Sequence, residues 1–338
     1  MERIQFTHAY EHIISMENLL GAWQEFSRDK GKRKDVQEFK LRLMDNLFSL
    51  HADLRNRTYR HGPYEHFRIS DPKPRDIHKA TVRDRVVHRA LYRKLYPFFD
   101  RVFISDSFSC RLGKGTHRGF NRFRVFARLA SRNHTKTCSV LKCDIRKFFA
   151  NIDHDILFSI LKSYIADPET LGLLQSIISS FFGAKPAVGL PLGNLTSQLL
   201  VNIYMNEFDQ FVKHRLKAKY YIRYADDFVI LSRDRQWLLG ILIHIRNFLS
   251  DRLYLELHPD KVFIKTFASG VDFLGWVHFS DHRVLRTATR RRMFRAISGN
   301  PTEARVASYL GMLGHGNARK LQEKVLMLSS RHDEAGIF

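Results

Sequence analysis

The chain has 338 residues, 44% of them hydrophobic, enough to fold but too many for one small core, so two or three lobes are expected. Lysine and arginine number 56 against 34 acids, a formal charge of +22 that a polyanion would offset, which favours nucleic acid over an anionic membrane because the bases are spread along the chain. No apolar run nears the ~20 residues of a membrane span, the N-terminus lacks a signal-peptide core, and three cysteines without CxxC spacing suit a reducing compartment, so a cytoplasmic protein is expected.

Residues 1–60 read as helical. Phe39, Leu41, Leu43, Met44, Leu47, Phe48 and Leu50 recur at helix-like spacing, and Leu54 continues the face. The basic run Arg28–Lys34 before them is a loop, either solvated or a contact for an anion. Phe67–Thr81 reads as two extended segments around a proline-stiffened turn. Lys73 and Arg75 flank Pro74 there, and an ammonium with a forked guanidinium suits a triphosphate. Val82–Tyr96 follows as a helix with Val86, Val87, Ala90, Leu91 and Leu95 on one side. Ser107–His117, which includes Lys114, is rich in glycine and bases but lacks the GxxxxGK[ST] spacing of a nucleotide loop. It suits a contact to a nucleic-acid backbone.

Ser139–Phe149 is an apolar strand that ends on Asp144, with Phe148 and Phe149 four and five residues further on. An acid at a strand end serves as a metal ligand or as a helix cap. Residues 155–183 give two helical patterns, and Gly189–Gln198 is a turn leading into a long helix from Leu199 to about Leu216. Gly193 in that turn permits close approach of a backbone or ligand.

Tyr221–Leu231 is the stretch around which the rest is organised. Two apolar, aromatic arms suit strands, and Ala225-Asp226-Asp227 between them reads as a hairpin tip. Adjacent carboxylates repel, so they need a cation, a shared proton or water; the two readings are a divalent metal site and a solvated turn. Gln236–Leu253 then reads as a helix, Leu255–Ile264 as a turn and strand carrying Lys261, and Val271–Val277 as a strand. From Arg283 on, Arg286, Arg290, Arg291, Arg292, Arg295 and Arg305 mark a helical lobe whose arginine face is either solvated or bound to nucleic acid.

The order of these features, a strand ending on Asp144, a glycine turn and helix, Tyr224-Ala225-Asp226-Asp227, a turn bearing Lys261, and Phe273-Leu274-Gly275-Trp276, resembles the palm of a reverse transcriptase over roughly residues 65–280. The resemblance implies an α+β right-hand polymerase. Its parts are an N-terminal helical extension over 1–60, fingers over 61–135 with part of 155–195, a palm of antiparallel sheet packed on helices over 136–280, and a short helical thumb over 281–338. It implies two Mg²⁺ ions, with Mn²⁺ as an alternative, held by Asp144, Asp226, Asp227 and the carbonyl of Ile145; hard oxygen ligands suit Mg²⁺, and a two-ion site stabilises both ends of a nucleotidyl transfer.

Position by position, Phe149 matches the steric gate against a ribose 2′-OH. Lys73 and Arg75 match residues that hold the triphosphate, Gly193 the glycine beside the nascent base pair, and Lys261 a lysine that protonates the pyrophosphate, its alternative being an exposed strand-end lysine. Phe273, Gly275 and Trp276 match the primer grip. Template RNA, primer, cDNA and deoxynucleotides are the implied partners. Leu192 stands where intron, retron and retroviral enzymes usually carry glutamine. The form Gly-Leu-Pro-Leu-Gly-Asn-x-Thr-Ser-Gln over 189–198 resembles enzymes of diversity-generating retroelements, which copy RNA with errors at adenines and work with a basic, pentameric helical accessory protein. Other branches of the family (retron, group II intron-like, CRISPR-associated) and a catalytically inactive RNA-binding protein are the competing readings. The roughly 58 residues after 280 suit a short helical thumb, so no RNase H or endonuclease domain is expected within them.

Overall fold

The computed structural model describes residues 4–70 and 74–335. In chain order come helices α1 (Tyr10–Ile14), α2 (Met16–Ser27), α3 (Lys34–Leu41) and α4 (Leu43–Arg55), strands β1 (Glu65–Ile69) and β2 (Arg75–Lys79), α5 (Val82–Val102) and α6 (Thr116–Ala130). Then follow β3 (Ser139–Asp144), α7 (His154–Lys162), α8 (Pro168–Ser179), α9 (Leu195–Gln210), β4 (Tyr220–Tyr224), β5 (Asp227–Ser232) and α10 (Arg235–Leu253). The chain closes with β6 (Phe263–Thr266), β7 (Val271–Phe273), β8 (Trp276–His278), β9 (Arg283–Leu285), α11 (Thr287–Gly299), α12 (Glu303–Leu313) and α13 (Arg319–Ala335). No helix among the described residues is long and apolar enough to cross a membrane.

The chain divides into two compact units. The first comprises Met1–Ser105, Ile145–Lys217 and His244–Leu257. Here α2 packs on α5, and Leu19, Ala22, Trp23 and Phe26 of the first and Val86, Val87, Ala90 and Leu91 of the second are all buried. Asn18, buried with them, donates to the carbonyls of Ile13 (2.7 Å) and Ala90 (3.1 Å) and accepts from Arg93 (2.9 Å), so its burial leaves no polar group unmet. Antiparallel β1 and β2 form a two-stranded ribbon.

Several elements differ from the sequence reading, each for a local reason. The apolar pattern over 39–54 spans two helices, because the chain breaks at Arg42 (φ −124°, ψ 46°). Leu47, Leu50 and Leu54 therefore turn inward, while Leu41 is 85% exposed and Met44 and Phe48 are exposed too. Helix α5 continues through Pro97 to Val102 rather than ending at Tyr96. Burying Phe98 and Phe99 offsets a proline cost of about 3 kcal/mol. Helix α9 starts four residues early and gives way at Phe211–Arg215 to a π-helical turn. The stretch 271–277 is a hairpin rather than one strand, turning at Leu274 and Gly275, both with positive φ. The arginine-rich end opens with strand β9, a three-residue segment too short for its alternation to be read.

In the same unit the Asp84 carboxylate accepts three hydrogen bonds, from Tyr59 Oη (2.7 Å), Thr81 Oγ1 (2.5 Å) and Gly62 N (3.1 Å), and His61 Nδ1 lies 3.9 Å from it. His61 Nε2 lies 3.2 Å from His88 Nε2. Burial pushes the His88 imidazole down to about 3, and His61 adds to the effect. A histidine depressed in the folded state leaves stability intact above its unfolded value near 6.5 and removes it as pH falls, by about 1.4 kcal/mol per pH unit for one proton. The urea midpoint is thus expected to drop steadily between pH 6 and pH 4 on the order of one proton's slope from this site, and His88→Gln to flatten that slope; equal slopes in the two proteins would assign the acid sensitivity elsewhere.

Candidate active site

The second unit comprises Asp106–Asp144, Ala218–Ile243 and His258–Phe338. Its main sheet is antiparallel, in the order β4-β5-β3-β6. Residues opposed in an antiparallel pair share a face. The register sets Val140 against Leu231, Lys142 against Val229 and Asp144 against Asp227, and on the other side of β5 sets Ile222 against Val229 and Tyr224 against Asp227. Val140, Ile222, Val229 and Leu231 on this face bury against Phe123, Phe126 and Ala127 of α6. At its end the same face turns acidic, with the carboxylates of Asp144 and Asp227 side by side.

The hairpin tip is tighter than the sequence suggests. Ala225 and Asp226 alone make the turn, and Asp227 is already the first residue of β5. Ala225 takes φ 55°, a left-handed conformation that costs roughly 1–2 kcal/mol without glycine. Arg223, fully buried, braces the turn from beneath. Its Nη1 donates to the carbonyl of Ala225 (3.1 Å) and its Nη2 to Ser107 Oγ (3.2 Å). The Asp106–Phe108 segment covers the free edge of β4, with Arg223 N bonded to Asp106 O (3.0 Å) and Phe108 N to Arg223 O (2.9 Å). Tyr224 Oη meets Thr116 Oγ1 at 3.1 Å.

Two lysines face the two strand acids. Lys261 Nζ donates to Asp144 Oδ1 at 2.8 Å, and the amide of His258 donates to the Asp144 carbonyl at 2.7 Å. Lys142, buried two residues before Asp144 on the same face, sets its Nζ 3.2 Å from Asp227 Oδ2. Burial pushes the Asp227 carboxyl up to about 7; Lys142 pulls against this, while Asp144 and Asp226 add to it. Asp227 Oδ1 is buried with no hydrogen-bond partner. Among the described residues no three His, Cys, Asp or Glu side chains converge as a formed metal site. The donor chemistry nevertheless fits a divalent cation: hard carboxylate oxygens, one of them buried and unsatisfied.

The remaining sequence-selected residues fall as follows. In the first unit Arg75 opens β2, and the amide of His78 on that strand donates to the Leu192 carbonyl (3.1 Å). Asn194 ties the same strand down, donating to His78 O (3.0 Å) and accepting from Ala80 N (3.4 Å). Gly193 takes φ 107°, and an added Cβ would stand 3.0 Å from Ile77 Cγ2, so glycine is required there. Phe149 lies in a 3₁₀ turn, its carbonyl bonded to Leu190 N (2.8 Å), and Ile145 is buried, bridging Leu257. Lys73 lies outside the described residues. In the second unit Lys114 sits over the Phe108 ring at 5.4 Å. Phe273 and Trp276 are buried in core, while Asp272, Leu274, Gly275 and Val277 of their hairpin are half-buried. Arg290, Arg291 and Arg295 of α11 are exposed, and Arg292 is half-buried.

Sequence reasoning passed over Lys142 and Arg223. Their signal was present: a lone cation inside an apolar strand, Val140-Leu141-Lys142-Cys143 and Tyr221-Ile222-Arg223-Tyr224. A charge there is buried, and a buried charge needs a specific partner.

An antiparallel sheet thus brings a two-residue acidic turn beside a third strand-end acid. Residues 70–278 match the family described as reverse transcriptase (RNA-dependent DNA polymerase), and the chain belongs to that family. It is 26% identical to Protein YkfC of Escherichia coli (strain K12), with 69% of each chain covered. It is 23% identical to the group II intron-encoded protein LtrA of Lactococcus lactis subsp. cremoris, with 85% of this chain and 58% of that protein covered. To the putative COX1/OXI3 intron 2 protein of Saccharomyces cerevisiae it is 21% identical, with 82% of this chain and 38% of that protein covered. The chain thus spans little more than half of the second relative and well under half of the third.

Proposed function

We propose that this chain is a divalent-metal-dependent RNA-directed DNA polymerase that adds deoxynucleotides to a primer on an RNA template. One observation carries the reading: within a reverse transcriptase domain, a single sheet sets Asp144 opposite Asp227 and puts Asp226 in the turn beside them. Asp144, Asp226, Asp227 and the carbonyl of Ile145, the next residue in the chain, would hold two Mg²⁺ ions, or Mn²⁺. Such ions, when bound, stabilise the attacking 3′-oxygen and the leaving pyrophosphate. Lys142 offsets the charge of Asp227 from within the sheet. Lys261 carries a proton at Nζ that can pass to the leaving pyrophosphate. Lys73, Arg75 and Gly193 serve the incoming nucleotide, and Lys114, the Phe273–Trp276 hairpin and the α11 arginines serve the nucleic acid. In this reading 61–135 and part of 155–195 act as fingers, 136–280 as palm and 281–338 as thumb. Purified protein with added RNA, a DNA primer, deoxynucleotides and Mg²⁺ should make template-dependent DNA; no product with any primer–template would sink the proposal.

Phe149, five residues after Asp144, is the residue assigned to sugar selection. Phe149→Val is expected to raise ribonucleotide incorporation by on the order of tenfold or more, because a lost aromatic clash is worth about 1–3 kcal/mol. Single-nucleotide extension with paired ribo- and deoxynucleotides reads this directly, and an unchanged ratio would move the gate to another residue.

Two branches of the family compete for the biological role. The Leu192-Gly193-Asn194 segment favours a diversity-generating retroelement enzyme, error-prone at template adenines and working with a basic helical accessory protein. The likeness to a group II intron-encoded protein favours an intron-type enzyme. On the first reading, the absence of a glutamine amide at 192 loosens selection of the incoming base. Leu192→Gln should then lower misincorporation opposite adenine several-fold, since one hydrogen bond contributes about 1 kcal/mol. Sequenced products with the same adenine error rate in both proteins would favour the intron reading.

A further inference from the structure

The end of β8, the β8–β9 turn and the loop joining α12 to α13 border a polar pocket of about 200 Å³. This is below the ~300–1,000 Å³ of pockets that take drug-sized ligands, so it suits a single small group. Arg124, His282, Arg283, His315 and Asn317 line it. The loop is held firmly. Asn317 N donates to Arg283 O (3.0 Å), Asn317 Oδ1 accepts from Arg283 N (3.3 Å), and Arg283 Nε donates to His315 O. Gly316 lies so close to Trp276 that any Cβ there would overlap the indole.

The pocket carries cations with little to balance them. The guanidinium of Arg283 stacks 4.2 Å from the Phe120 ring and is held below its ordinary value by burial and by Arg124. His315 is lowered by burial, by His117 and by Arg283. Arg124, exposed on α6, makes no hydrogen bond or ion pair among the described residues. The lining holds one acid, Asp281, and its carboxylate is taken by His282 at 2.7 Å. Guanidinium forks, an imidazole and a carboxamide around one small space form a donor set for tetrahedral oxyanions.

We propose that this pocket binds one backbone phosphate of a bound nucleic acid, at the end of β8 opposite the Leu274–Gly275 turn. Arg124 supplies the free fork, and Arg283 and Asn317 supply the fixed wall. A chain of charge +22 favours an extended polyanion here over a free anion. The identity of the nucleic acid rests on the polymerase reading, but the test measures binding alone. Full-length protein in EDTA, without deoxynucleotides, is titrated with a labelled RNA–DNA primer–template across a salt series. Arg124→Gln should reduce the slope of log K against log salt by about 0.9, the loss of one phosphate contact, and weaken all sequences alike. Asn317→Asp keeps the acceptor for Arg283 N but adds a negative charge to the pocket, and should reduce the slope at least as far. Arg246→Gln, at an exposed arginine of α10 in the other unit, should leave it unchanged relative to wild type. Inorganic phosphate, compared with chloride at equal ionic strength, should displace the primer–template from wild type more readily than from Arg124→Gln. Unaltered slopes in both pocket variants would overturn the proposal, whatever phosphate does, and would leave primer extension untouched as a separate question.

Discussion

Asp226→Asn is expected to lower primer extension by roughly 10³-fold, the equivalent of about 4 kcal/mol of lost charge stabilisation at the reacting phosphate. Asparagine keeps the size of the side chain and is at home in a two-residue hairpin turn, so the β4–β5 hairpin should form as before. What is removed is the negative charge of a proposed metal ligand, in the turn next to Asp227, which the register sets opposite Asp144. The expected pattern is therefore an unchanged melting temperature without metal, a smaller stabilisation by Mg²⁺ and almost no DNA product. Calorimetry with and without Mg²⁺, run alongside primer extension, separates these effects. Full activity in the variant would remove the metal assignment, and a lower melting temperature without metal would make Asp226 a structural residue.

Arg223→Met should have the next largest effect, on stability and catalysis together. The guanidinium reaches two acceptors at once, Ala225 O at the turn and Ser107 Oγ on the covering segment. A methionine fills the volume but leaves both acceptors buried and unmet, at about 1–3 kcal/mol each, so a loss of roughly 3 kcal/mol is expected. Ala225 is already in a left-handed conformation, so loss of the brace should let the turn relax and displace Asp226. Faster amide exchange at the turn, with a primer-extension rate reduced on the order of 10²-fold, is the expected signature, since an ångström of misplacement at a reacting centre costs about that much. Arg223→Lys, which can serve only one of the two acceptors at a time, should lie between wild type and Arg223→Met. Wild-type exchange and activity in Arg223→Met would show that the sheet alone holds the turn.

The strands that carry the acids were legible because alternation and β-branched or aromatic residues mark them, as in Val140-Leu141 and Tyr221-Ile222. Glycines were legible where backbone geometry demands them: Gly193 at φ 107° beside Ile77 is one such place. Misreadings arose where a pattern crossed a break it does not encode. The face through Leu41 and Leu47 spans a kink at Arg42, and the run Val271–Val277 hides a two-residue turn. Periodicity reports which residues want to be buried, but it does not report where the backbone turns between them.

By itself the sequence determined the charge excess, the strands, the acids at their ends and the order in which they come, since each follows from local residue chemistry. Only the tertiary structure decided that Asp144 lies opposite Asp227, that Lys261 and Lys142 each take one of these acids, and that Arg223 lies buried under the turn. Pairing register and the partner of a buried charge depend on residues far apart in the chain, brought together when the sheet closes, and a local reading of side chains carries no record of that distance.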